Sequence, residues 1–198
     1  MKNVSPLKNI IIEGQYGNFE NKKDSQIIKI KEIKNLFIYQ VVKFKTSKKN
    51  NNDLKVDNLT FPDVLKVNSN TDTRILWMGP NNWLVISLKS LNNELNQIFS
   101  NNEFAVTDIS HSRSIIELEG ENVKEVIKKG SPFNIEEMKD NSCSNTIYNG
   151  VTITIDNIDQ EFYKIRVISL RSFGESLYHS IADACLEFGY NSHWFHSY

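Results

Sequence analysis

Asp108, Ser110, His111 and Arg113 fall within the single run Asp-Ile-Ser-His-Ser-Arg. A carboxylate, an imidazole and a guanidinium that close in sequence could form an acid–base site or an anion clamp. Alternation along an extended chain works against this. It sends Asp108, Ser110 and Ser112 to one face and Ile109, His111 and Arg113 to the other. The favoured reading is therefore a polar turn whose side chains satisfy backbone groups. A second run, Arg171-Ser-Phe173, precedes an apolar helical stripe. Ser172 with Glu175 three residues later has the spacing of a capping box. Arg171 has no local role, so it is expected to pair with an acid elsewhere in the chain or on a partner. His193 and His196 stand at helical spacing but lack further ligands nearby, and they read as a polar tail rather than a metal site. Cys143 lies in a polar stretch, and Cys185 lies on the apolar stripe of the last helix and reads as core. Neither cysteine has a neighbouring His or Lys that would make it a low-pKa nucleophile.

The sequence contains no Gly-x-Gly-x-x-Gly after a strand, no P-loop, no Gly-x-Ser-x-Gly and no His-Glu-x-x-His. Gly79-Pro-Asn-Asn82 is turn chemistry rather than a phosphate loop. No catalytic, cofactor-binding or metal-ligating residue is assigned from the residues alone.

The elements that would position these runs follow from periodicity. Ile10–Ile12 could be a short strand, Gly14–Asp24 a loop, and Ile27–Ile33 either strand or helix. Leu36–Phe44 is rich in β-branched and aromatic residues and reads as a strand. Lys45–Asn58 is polar and reads as an exposed loop. Arg74–Gly79 and Trp83–Leu88 flank Pro80-Asn81-Asn82 and predict a hairpin. Ser90 could cap a helix over Leu91–Phe99. Phe104–Ile109 and Ser114–Leu118 read as strands on either side of the His111 turn. A short helix with Val123, Val126 and Ile127 on its apolar face ends at Gly130. Ser144–Ile155 reads as a strand pair or a bent strand, and Glu161–Ser169 as a strand. Phe173, Leu177, Ile181, Ala184, Cys185 and Phe188 form one apolar stripe and mark a closing helix over Gly174–Phe188 that stops at Gly189. The tail Asn191–Tyr198 carries Trp194 and Phe195, which are expected to dock on this domain or on another chain. Hairpin-length links dominate, so the expected class is α+β with a mainly antiparallel sheet and packed helices.

The chain has 198 residues, with 23 Lys+Arg against 24 Asp+Glu and a formal net charge of −1. That length suits one domain with a substantial core. The expected organisation is a single domain over 1–198, with a variable part over 1–70 that includes the loop near 45–58. A core over 71–190 and an aromatic tail over 191–198 follow. The charge balance argues against nucleic acid as the main partner. No apolar run approaches the length of a membrane helix, and the first residues have no h-region, so a cytoplasmic location is expected. Two cysteines are too few for a disulfide scaffold. The Asn and Lys bias, including the clusters at 50–52 and 101–102, reads as compositional drift.

From Arg74 onward the chain resembles the gamma subunit of heterotetrameric sarcosine oxidase. The resemblance is carried by Ile75-Leu-Trp-Met-Gly-Pro-Asn-Asn-Trp-Leu84, Val106-Thr-Asp-Ile-Ser-His-Ser-Arg113, Ile116-Glu-Leu-Glu-Gly120, Val126-Ile-Lys-Lys-Gly-Ser-Pro132 and Arg171-Ser-Phe173, in that order. Ser131-Pro132 stands where the family commonly has Cys-Pro. The resemblance implies a fold like the folate-binding domain of glycine-cleavage aminomethyltransferases. It also implies a non-catalytic structural subunit of a flavin-dependent oxidase that demethylates sarcosine to glycine, gives peroxide and passes the one-carbon unit to tetrahydrofolate.

The implied division of labour puts NAD and tetrahydrofolate on the alpha subunit, FAD and covalent FMN on the beta subunit and zinc on the delta subunit. No cofactor falls to this chain, whose partners would be those three subunits rather than nucleic acid or membrane. Asp108, Ser110, His111, Arg113, Arg171, Phe173, Trp77, Trp83 and Trp194 become family-motif or interface candidates. Two alternatives stay open: a stand-alone folate-binding aminomethyltransferase-like protein, and a gamma-type subunit of a sister complex acting on another N-methylated amine. Against the first, the aminomethyltransferases' Gly-Gly and paired aspartates are matched here only by Asn149-Gly-Val-Thr-Ile-Thr154, which lacks the acids.

Overall fold

The computed structural model describes residues 5–159, 161 and 163–193, without the side chains of residues 52 and 193. In chain order the strands and helices are β1 (Gly14–Tyr16), β2 (Ile28–Glu32), β3 (Phe37–Lys43), β4 (Lys55–Val56), β5 (Leu59–Thr60), β6 (Val67–Ser69), β7 (Thr73–Gly79), β8 (Asn82–Ser87), α1 (Asn92–Ile98), β9 (Phe104–Asp108), β10 (Arg113–Glu119), α2 (Val123–Gly130), β11 (Cys143–Tyr148), β12 (Val151–Asp159), β13 (Lys164–Leu170), α3 (Gly174–Cys185) and β14 (Tyr190–His193). The class is α+β. Its strand pairs are antiparallel apart from β14 on β2.

The chain forms two compact units. The first comprises residues 1–34, 111–140 and 145–198, and the second residues 35–110 and 141–144. The first is built on a seven-stranded sheet in the order β1-β14-β2-β10-β13-β12-β11. Period-2 alternation gives this sheet one apolar face. Ile28 and Ile30 of β2, Ile116 and Leu118 of β10, Ile165 and Val167 of β13, and Ile153 and Ile155 of β12 join one core with Val123, Val126 and Ile127 of α2 and Leu177, Ile181 and Cys185 of α3. Ile10–Ile12 do not form the expected strand. Leu7 and Ile11 instead bury themselves in this core from a turn in which the Ile11 N–H donates to the Leu7 carbonyl. The ambiguous Ile27–Ile33 resolves as strand β2, since both of its long edges find partners.

The second unit holds the five-stranded sheet β6-β7-β8-β3-β9 and the small β4-β5 pair. The predicted hairpin is β7–β8, with Asn81 at φ 57 in its turn. Lys45–Asn58 is not wholly an exposed loop. It contains β4, and Leu54 and Val56 are buried against Phe61, Trp83, Leu91, Leu95 and Phe99. Leu91, rather than Ser90, stands at the head of α1, and no side chain caps it.

In the first unit, Gly130 closes α2 where a Cβ would lie 2.6 Å from the Tyr148 ring. That ring is fully buried, and its hydroxyl donates to the Val126 carbonyl at 3.1 Å. Gly130→Ala is therefore an overpacking change. It should lower stability by about 1–3 kcal/mol, read as a reduced urea midpoint at unchanged m-value.

Candidate functional site

β9 ends at Asp108 and β10 begins at Arg113, joined by a 3-10 turn over Ser110–Ser112. The Asp108 carboxylate accepts from the Ser110 backbone N–H at 2.9 Å and from the Ser110 hydroxyl at 2.6 Å. Ser110 Oγ in turn accepts from the Ile38 N–H at 2.9 Å. Asp108 and Ser110 are thus spent on holding a turn in the second unit. His111, Ser112 and Arg113 belong to the first unit. Arg113 donates to the Ser112 hydroxyl at 3.2 Å, and burial pulls its guanidinium below the usual arginine value.

β10 and β13 pair antiparallel from Arg113↔Leu170 to Glu119↔Lys164. Antiparallel register puts the start of one strand beside the end of the other. The turn entering β10 and the turn leaving β13 therefore share one end of the sheet. The turn after β13 is a 3-10 helix over Arg171–Phe173 that runs straight into α3. Ser172 lies inside that turn and caps nothing, so the expected capping box with Glu175 does not form. The helical segment starts at Arg171 instead, with Leu170 in the cap position and no side-chain cap bond. The two turns open on a surface hollow of about 620 Å³ lined by Ser5, Pro6, His111, Ser112, Leu170, Arg171, Ser172 and Glu175.

Glu32 belongs to this end of the sheet and had no counterpart among the sequence candidates. It continues the Ile28, Ile30 face of β2 opposite Ile116, so it is an acid on an apolar face, only 9% exposed. Burial pushes its carboxyl above the ordinary value of 4.5. A Ser5 hydrogen bond, the Lys34 charge, a Leu7 backbone bond and the Arg171 charge oppose that push without cancelling it. The Arg171 charge is the smallest of these influences on Glu32. Ser114 extends the same polar end. Its buried hydroxyl has no hydrogen-bond partner, and its Oγ would lie 2.9 Å from a Cβ placed on Gly174.

The opposite face of the sheet carries a row of charges that sequence reasoning also missed. Lys31, Glu117, Arg166 and Asp156 face one another across β2, β10, β13 and β12. Glu117 is 3% exposed, 2.7 Å from Lys31 Nζ and 2.8 Å from Arg166 Nε. Burial pushes its carboxyl up, but its bonds and charge interactions with Lys31 and Arg166 outweigh this and hold it below the usual range. The available signal was an acid alternating with isoleucine and leucine in Ser114–Glu119.

The remaining candidates separate clearly. Trp83 is 1% exposed, meets Phe61 edge-on at 4.9 Å and donates its indole N–H to the Pro62 carbonyl. It is core of the second unit and unavailable as an anchor for a partner. Trp77 is half-buried on the same core, while Phe173 is 46% exposed. Trp194, Phe195 and His196 lie outside the described residues. Cys143 and Cys185 are both buried thiols outside any disulfide; the Cys143 thiol donates to the Trp77 carbonyl at 3.2 Å, and burial pushes the Cys185 thiol up to about 12. Ser131 ends α2, and its hydroxyl pairs with that of Thr146 at 3.2 Å. Among the described residues no group of three or more His, Cys, Asp or Glu could hold a metal, and no helix is long and apolar enough to cross a membrane.

The sarcosine oxidase, gamma subunit family matches residues 53–187, which include both turns and most of both units. The chain belongs to that family. This gamma-family chain also superposes on a chain of the heterotetrameric sarcosine oxidase from Corynebacterium sp. U-96, with TM-score 0.73 and 20% identity, over 84% of this chain and 87% of that one. It is similar too to the glycine cleavage system aminomethyltransferase T from Bartonella henselae, with TM-score 0.59 and 10% identity. That likeness covers 84% of this chain and 47% of the transferase chain, so the chain spans about half the transferase's length. At these identities the two likenesses show the fold. No curated protein matches. In the gamma-family chain, Asn149 and Gly150 form a tight turn, with φ 44 and 83. It continues into β12, where Ile153 enters the core and Thr154 donates to Asn145 at 2.7 Å.

Glu117→Gln should cost about 3 kcal/mol at neutral pH by urea unfolding, since it leaves two cations beside a buried position. The folded-state pKa of Glu117 is depressed, so its contribution is present above 4.5 and is lost as the pH falls through the folded value. The variant should show a flatter acid limb. Glu32 has the opposite sign. Its folded pKa is raised, so its contribution is full below 4.5 and declines as the pH rises through the folded value. Glu32→Gln should remove that decline, and thermal midpoints across the two pH ranges would separate the two residues.

Proposed function

We propose that this chain is a non-catalytic structural subunit of a heterotetrameric, flavin-dependent sarcosine oxidase. In that assembly the amine oxidation and the flavin, NAD, tetrahydrofolate and zinc chemistry lie on partner subunits. The observation that carries the reading is family membership over residues 53–187. Three features of the chain support the non-catalytic part. The Asp108 carboxylate is occupied by Ser110. The Cys185 thiol is held protonated by burial. Asn149–Thr154 is turn and strand rather than an acidic cradle.

A folate-binding aminomethyltransferase-like role is the second reading, favoured by the likeness to aminomethyltransferase T. A titration of the isolated chain with tetrahydrofolate separates the two. The structural-subunit reading expects no saturable binding, and tight binding would favour the transferase. Coexpression with alpha, beta and delta subunits should yield a yellow complex that contains this chain and releases peroxide from sarcosine. Omitting the chain should reduce the recovery of stable oxidase. Full recovery of stable, active oxidase without it would overturn the proposal, and a panel of N-methylated amines would identify a sister complex.

A further inference from the structure

The hollow at the head of α3 combines three features that a free surface has no use for together. Arg171 is presented at the start of an uncapped helical segment, where backbone N–H groups also favour negative charge. His111, Ser112, Ser172 and Ser5 surround it with further donors. Leu170 and Phe173, on either side of Arg171-Ser172, are 45% and 46% exposed. We propose that this hollow receives a carboxylate side chain from another subunit of the complex, with Arg171 as its ion-pair partner and Leu170 and Phe173 as the apolar contacts that flank it. The inference rests on the subunit reading above.

The chemistry favours a protein carboxylate over a small free anion. An opening of about 620 Å³ is far wider than a phosphate or carboxylate ion needs, and a small anion would leave Leu170 and Phe173 in water. Arginine flanked by apolar and aromatic contacts is the usual composition of an interface anchor, because the apolar neighbours exclude water from the ion pair. The charge of Arg171 also acts on Glu32, which lies behind the hollow, bonded to Ser5 and near Lys34. Glu175 is the one acid among the lining residues, and it would repel the incoming carboxylate.

The test is the affinity of the tagged full chain for the coexpressed partner subunits, read by copurified flavin absorbance and by binding at low and high salt. Arg171→Glu should weaken assembly at least tenfold and remove most of its salt dependence. Phe173→Ser should weaken assembly, and Glu175→Gln should leave it equal or tighter. Lys45→Glu, a charge reversal at an exposed residue of the second unit, should change nothing. Circular dichroism and unfolding midpoints establish that each variant is folded. If Arg171→Glu does not fold, Phe173→Ser and the wild-type salt dependence carry the decision. Wild-type assembly that Arg171→Glu leaves unchanged, or that Phe173→Ser and salt leave unchanged, would overturn the inference alone. Failure of the wild-type chain to assemble with any of the partners would overturn the subunit reading together with it.

Discussion

Glu117 lies in the middle of the seven-stranded sheet with Lys31 on the strand to one side and Arg166 on the strand to the other. A carboxylate this deeply buried is tolerated only when both bonds are made. Both are made in a single register. A slip of one residue in β10 would turn Glu117 and Glu119 into the apolar core and bring Ile116 and Leu118 out to the charged face. The ionic row therefore acts less as a source of net stability than as a constraint on alignment. Asp156, fully buried on β12 opposite Arg166, extends the constraint to a fourth strand.

The rest of the unit follows from that alignment. Fixing β2 against β10 puts Glu32 opposite Ile116, and fixing β10 against β13 puts Arg113 opposite Leu170. The apolar face then ends in Glu32 and Ser114, where Ser5 and the head of α3 meet it. Gly174 is required there because a side chain would collide with Ser114. The hollow around Arg171 is thus a consequence of strand register. Its polar residues come from three separate stretches of chain that only the sheet brings together.

Much of the fold was legible in the sequence. The β7–β8 hairpin announced itself through two apolar runs around an Asn that adopts positive φ, and α3 through a stripe at helical spacing. What could not be read depended on distant partners. Ile27–Ile33 was ambiguous because its pattern alone fits strand or helix. Pairing with β10 and with β14, far along the chain, decides it. Ser172 carried the local signature of a helix cap, but the chain entered the helix one turn earlier, at Arg171, and local spacing has no means of registering that. Glu32 and Glu117 were not singled out, because burial is a property of the assembled sheet. The site suffered the same limit. The Asp108–Arg113 run reads as a polar turn, and its acid does serve that turn, but spacing alone could not show that its histidine lines a hollow with residues sixty positions away.

That division bears on the work the buried acids do in the sheet. A catalytic carboxylate must be free to change its protonation state or its partner during turnover. The buried acids of the seven-stranded sheet are committed in the opposite sense. Glu117 is fixed as an anion by two cations, and Glu32 is tied to the N-terminal segment through Ser5 and Leu7. Their charges are used to define geometry. At the sheet's exposed end, arginine and serine donors line the hollow beside Leu170, which is 45% exposed. The sheet thus keeps its buried charges in register and gathers arginine, histidine and serine donors at one rim.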